Sequence, residues 1–174
     1  MDSCIRILET LDEEIESFNA KIASISMQDD RIKLLMTIPG IDYLTALTII
    51  SEIVHIKRFK TPWKLVSYAG LVSSRRDSGN RKRKGGGITK EGSKWLRYAL
   101  VEAVNTTIRY DERLGAFYQR IANRRGKQKA KVAAAKEMLV IIWHMLTNSE
   151  PYRTMKKDMT ERKYKKMEWK SRSA

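Results

Sequence analysis

Cysteine is almost missing from this chain: of 174 residues, only Cys4 carries a thiol. That excludes a disulfide scaffold and every multi-cysteine zinc site, and it fits a reducing compartment. Histidine is nearly as scarce, with only His55 and His144, so a histidine-rich metal centre is excluded as well. Three prolines and nine glycines exclude collagenous or proline-rich material. The longest apolar run, Met138 to Trp143, falls far short of the ~20 residues a bilayer span needs. Residues 1–20 hold acids rather than an apolar signal core, so nothing points to export. Acid itself is in deficit, with 20 Asp and Glu against 35 Lys and Arg, a formal net charge of +15 and a pI near 10.0. This imbalance argues against a neutral metabolic enzyme and for a polyanionic partner. Hydrophobic residues reach 42%, enough for one domain with its own core. The expectation is a cytoplasmic protein, without membrane contact, that binds something negative.

The charge is unevenly spread. Eight acids against two bases leave residues 1–30 at −6 and the other 144 residues at +21. In the acidic arm, apolar residues fall at Cys4, Leu8, Leu11, Ile15, Phe18, Ile22 and Ile25. Spacings that alternate four and three make an a/d heptad seam, which predicts a coiled-coil helix over residues 1–28. Three heptads are marginal alone, so the seam calls for a partner helix in a homo-oligomer. Packing of this helix on its own domain is the other reading.

Residues 29–150 read as a helical domain. Asp29 and Asp30 precede a short helix that Pro39-Gly40 breaks, and helical patterning resumes from Asp42 to Val54. Pro62 behind Thr61 opens a helix that Gly70 stops. Ser93 caps a helix with apolar positions at Leu96, Ala99, Leu100, Ala103, Val104 and Ile108. Two more follow, from Asp111 to Arg125 and from Lys127 to Asn148. Residues 151–174 form a basic tail of weak periodicity. Residues 71–92 hold five of the nine glycines without helical period, so at most a short β-hairpin is expected there. The fold class is all-α, with about six helices and a basic Gly-rich loop.

Two segments have the composition for chemistry. Two helices joined at Pro39-Gly40 make a helix-hairpin-helix-like element, in which the backbone at Gly40 would approach a phosphate. Where such hairpins repeat glycine, this chain has Asp42, whose carboxylate would repel a phosphate or cap the helix instead. Between Ser73 and Arg97 stand nine bases, Arg75, Arg76, Arg81, Lys82, Arg83, Lys84, Lys90, Lys94 and Arg97, against two acids. They suit phosphate backbones of DNA or RNA, and Gly79 and its fellow glycines allow close approach. A solvated loop is the plainer reading of the same charges. Within this stretch Ser78 is ringed by arginines that would stabilise an alkoxide and an attacked phosphate, although Asp-Ser-Gly is also an ordinary turn. No metal-ligand spacing, paired carboxylates or Ser-His-Asp set appears elsewhere.

The stretch from Leu35 to Arg97 resembles the C-terminal transposase domain of the insertion-sequence 110/116/902 transposase family. The matching pieces occur in order: Ile38-Pro39-Gly40-Ile41, Phe59, Leu65-Val66-Ser67-Tyr68-Ala69-Gly70-Leu71-Val72, Ser78-Gly79, Ile88-Thr89-Lys90-Glu91-Gly92 and Leu96-Arg97. The resemblance implies an RNA-guided DNA recombinase in which Ser78 is the nucleophile, forming a covalent phosphoserine link to DNA, with a guide RNA as second partner. It also implies that Mg²⁺ is held by an N-terminal RNase-H-like domain with a DEDD carboxylate set, which this chain does not contain; no cofactor is expected in this chain itself. A catalytic half that works only with that domain, and a non-catalytic nucleic-acid-binding remnant, are the two functional expectations.

Overall fold

Capping residues set where the helices begin. Asp29 accepts from the Arg31 N–H at 2.8 Å and Asp42 from the Thr45 N–H at 2.8 Å. Ser93 accepts from Leu96 N–H at 3.0 Å and Asp111 from Leu114 N–H at 2.7 Å. Each side chain satisfies an amide that the first helical turn leaves without a partner. Thr61 occupies the corresponding place before Pro62, but its hydroxyl makes no cap bond. There the proline itself pre-sets the first helical dihedral and needs no acceptor for its nitrogen.

The computed structural model describes residues 2–72 and 88–172. Among these residues the chain is all-α, with eight helices and a 3-10 turn at Ile56–Arg58. The helices are α1 (Asp2–Met27), α2 (Asp30–Met36), α3 (Tyr43–Ile53), α4 (Pro62–Tyr68), α5 (Lys94–Tyr110), α6 (Glu112–Arg125), α7 (Lys127–Asn148) and α8 (Lys157–Ser171). Ile88 makes an isolated β-bridge; most of the stretch in which a hairpin was expected lies outside the described residues. No helix among them is long and apolar enough to cross a membrane.

Helix α7 is the centre, touching α2, α4, α5, α6 and the 3-10 turn. It buries Ala130, Ala134, Ala135, Met138, Leu139, Ile142 and Met145. Small residues at one end let neighbouring backbones come close, and the large ones fill the core at the other. Each buried Leu or Ile stabilises by roughly 1.5–3 kcal/mol. Asp111 turns the corner between α5 and α6: its own N–H donates to Thr107 O, ending α5, while its carboxylate starts α6. Gly115 sits where these helices cross, and a Cβ there would lie 2.6 Å from Ile108 O.

The tail is not an appendage. Residues 157–171 form α8, which packs on α1 and α2. Its anchors are polar: the Lys163 ammonium donates to the carbonyls of Met36, Ile38 and Ile41, the last two at 2.9 Å. Tyr164 donates to Lys33 O at 2.9 Å, and Lys170 pairs with Glu16. The arm α1 attaches to the body through Ala20, Ala23 and Ser26, which are buried. Most of the heptad seam faces elsewhere: Cys4, Leu8, Leu11, Ile15, Phe18 and Ile25 are exposed, Phe18 at 59%, while Ile22 is half-buried against the core.

Candidate nucleic-acid interface

The end of α4 and the start of α5 are tied together by backbone. Ser93 N–H donates to Tyr68 O at 2.9 Å, and Lys90 N–H to Gly70 O at 3.3 Å. Thr89 N–H donates to Val72 O at 2.9 Å, so the two flanks of residues 73–87 are joined one hydrogen bond apart. Glycine is required at both contacts. Gly92 has φ +123°, and a Cβ on it would stand 2.0 Å from Tyr68 O. Gly70 has φ +65°, with Arg97 Nη1 at 2.7 Å and Glu91 O at 2.8 Å from where its Cβ would be. No L side chain fits either place without moving backbone.

Side chains brace this junction. The Arg97 guanidinium donates to Ala69 O at 2.9 Å. Arg58 lies over two rings, 4.6 Å from the centroid of Phe59 and 4.7 Å from that of Tyr68. The Tyr68 hydroxyl reaches Glu52 at 3.4 Å, and the Trp143 indole N–H donates to Phe59 O at 2.9 Å. The pieces of the motif on either side of residues 73–87 are therefore one structural unit.

Of the residues singled out from sequence, Arg75, Arg76, Ser78, Gly79, Arg81, Lys82, Arg83 and Lys84 lie outside the described residues. Lys90 is exposed in the left-handed region, at φ +56°. Lys94 is exposed at the first position of α5, its ammonium 5.3 Å from the Trp95 ring centroid. Arg97 is half-buried, and the bond to Ala69 gives it an internal partner. Gly40 has φ +92°, but its close approach is to α5: a Cβ would lie 2.5 Å from Ala103 O and 2.8 Å from Thr106 Cβ. Around it Pro39 O accepts from Thr107 at 2.6 Å, and Asp42 caps α3. The contacts of this turn are thus to its own chain.

Three exposed aromatics of α4 and α5 are absent from the sequence-based candidates. Trp95 is 59% exposed, Tyr98 64% and Trp63 57%. Lys136 of α7 stands 4.8 Å from the Trp63 ring centroid, and Lys57, Lys60 and Lys64 are exposed nearby in sequence. The signal was there in Lys94-Trp95 and Trp63-Lys64, an aromatic beside a base each time. Further along, Arg120, Arg124, Arg125, Lys127 and Lys129 are exposed around the α6–α7 turn.

A separate cleft of about 680 Å³ opens between α6, α7 and the segment before α8, lined by Phe117, Val140, Ile141 and Tyr152 among others. His144, which the sequence places in an apolar stretch, lies exposed at this cleft. At its floor Tyr152 donates to Asp111 Oδ2 at 2.5 Å and Thr154 to the same oxygen at 2.7 Å. Burial pushes the Asp111 carboxyl up, but hydrogen bonds from Tyr152, the Leu114 amide, Thr154 and the Arg113 amide outweigh it and hold the group below its ordinary value. Burial, together with that carboxylate, pushes the Tyr152 phenol well up. Both groups are engaged with one another. Among the described residues no three Asp, Glu, His or Cys side chains come together to hold a metal ion.

Residues 32–119 match the model of the Transposase IS116/IS110/IS902 family. The chain is 30% identical over 146 residues to the transposase for insertion sequence element IS1111A of Coxiella burnetii, a match covering 82% of this chain and 40% of that protein. It is 25% identical over 158 residues to a Pseudomonas aeruginosa protein named "Probable family 20 transposase", covering 84% and 46%. The chain thus spans less than half the length of these curated relatives.

Proposed function

Because the chain belongs to the IS116/IS110/IS902 transposase family, we propose that it acts in DNA transposition, as the C-terminal portion of an RNA-guided recombinase. In this reading Ser78 is the catalytic nucleophile. Its Oγ attacks a DNA phosphorus, the bond from phosphorus to one ester oxygen breaks, and that oxygen leaves with a proton as a strand end. The serine proton passes to solvent base. The phosphoserine ester keeps the energy of the phosphodiester, so attack by a new strand end releases the serine and rejoins DNA.

The carrying observation is the junction at Tyr68 and Ser93. Motif pieces separated by residues 73–87 meet there, and the flanks of the segment bearing Ser78 and six of the bases are held together. Arg75, Arg76, Arg81, Lys82, Arg83 and Lys84 would lie against phosphates of DNA and guide RNA, with Lys90 and Lys94 beside them. Mg²⁺ enters only with an N-terminal carboxylate domain, and no step here runs through a metal held by this chain. The uncovered seam of α1 supports a homo-oligomer.

The test mixes this chain with a separately expressed N-terminal half, guide RNA and DNA, and looks for a protein–DNA adduct. Wild type should form one and Ser78→Ala should not, while Ser93→Ala should still react. Adduct formed by Ser78→Ala would remove that serine from the reaction. No adduct with any protein, together with intact DNA binding, would favour a non-catalytic binding remnant.

A further inference from the structure

We infer that Trp95 and Tyr98, with Lys94, form a stacking platform for unpaired nucleotide bases at the start of α5. The inference rests on the nucleic-acid reading above and adds to it a ligand class, single-stranded nucleic acid, and the residues that take it.

Helix α5 buries Leu96, Ala99, Leu100, Ala103 and Val104 on its core side. Trp95 and Tyr98 stand on the outer side, 59% and 64% exposed. A spacing of three makes them neighbours on one helix face, with Cβ atoms roughly 5–6 Å apart. Two large rings left in water side by side are an unusual expense for a folded surface unless something covers them. The surrounding charge selects the cover. The Lys94 ammonium lies 5.3 Å from the Trp95 ring centroid, and Lys90 is exposed four residues earlier. Segment 73–97 carries nine bases and two acids. Glu102, one turn beyond Tyr98, bounds the patch on its far side.

Rings for base faces with ammonium groups for the phosphates between them are the two components of sequence-tolerant single-strand binding. Duplex DNA offers phosphates but no free base faces, so it uses the charge alone. Position makes the platform useful: Ser93, two residues before Trp95, is bonded through its N–H to Tyr68 O at the junction. A strand held by Lys90 and Lys94 at that junction is therefore within reach of these rings.

Three labelled probes of equal length test the platform on the full chain: an oligothymidylate, a duplex, and a strand of abasic spacers with the same phosphates. Trp95→Ala and Tyr98→Ala should each weaken oligothymidylate binding about tenfold. They should change duplex and abasic affinity less than about twofold. Wild type should prefer oligothymidylate over the abasic strand, and the double variant should lose that preference. Both side chains are exposed, so circular dichroism of the variants should match wild type. Equal losses on all three probes would overturn the platform, since then the rings support the charge and not the bases. No loss on any probe would overturn it too and mark the rings as a protein-docking surface. Wild type that binds none of the probes would sink the nucleic-acid reading itself. Wild type that binds all three without preference would sink only this inference.

Discussion

Gly92 lies so close to Tyr68 that a side chain on it would run into the Tyr68 carbonyl oxygen, 2.0 Å from its first carbon. This contact hangs the start of α5 from the end of α4. Gly92→Ala should cost at least about 2 kcal/mol, from the clash and from the left-handed backbone together. Gly126→Ala is the internal control, because at φ +85° nothing lies within 4 Å of its Cβ and only backbone strain applies. Urea unfolding of both variants decides it; equal losses would mean the Gly92–Tyr68 contact carries no weight.

Asp111 links α5, α6 and the segment before α8. Its carboxyl is held below the ordinary value, so the folded state favours the charged form. The stability it contributes is present above the unfolded-state pKa of about 3.9 and is lost as pH falls through the folded value. Tyr152→Phe should therefore destabilise by about 1–3 kcal/mol at neutral pH and by progressively less as acid protonates the carboxyl. Denaturant melts across the acid range check this, and a pH-independent difference would contradict it.

Lys163 titrates the other way. Burial pushes its ammonium down to about 8, against the pull of Asp42. Between that value and the ordinary 10.5 the unfolded chain binds the proton more tightly, so stability from this group rises with pH across the window. Thermal unfolding from pH 8 to 10 should show wild type gaining on Lys163→Met. A falling difference would mean the bonds to Met36, Ile38 and Ile41 outweigh burial.

Phe18→Asp should leave the fold intact and abolish self-association, because the residue is 59% exposed in one chain and central to the α1 seam. A charge buried in a coiled-coil seam costs on the order of several kcal/mol. Light scattering at high concentration reads the outcome. Wild type and variant both monomeric would leave the seam for a different partner.

Helices α2 to α7 were legible in the sequence because Asp29, Asp42, Ser93 and Asp111 are real caps and Pro62 and Gly126 real punctuation. Helix α8 was not, since it buries only Thr160 and Met167 fully and docks through the polar ends of Lys163 and Tyr164. Such a helix leaves no apolar period to find. Helix α1 was legible, but not the stripe that attaches it, because Ala20, Ala23 and Ser26 are too small to register as a hydrophobic face. In the site, Arg97 counted as one more base, and only the structure gives it Ala69 as partner. Backbone pairing between Gly70 and Lys90 involves no side-chain pattern beyond the glycines themselves. Trp95 and Tyr98 fell outside the core period of α5 and so were passed over.

The bond from Thr89 to Val72 has an evolutionary consequence. Both partners meet through main-chain atoms, so the bond survives most side-chain changes at these two positions. An insertion or deletion within 70–72 or 88–92 is different: it shifts which amide meets which carbonyl and unpairs the flanks. Substitution is therefore tolerated at the two bonded positions where a change of length is not.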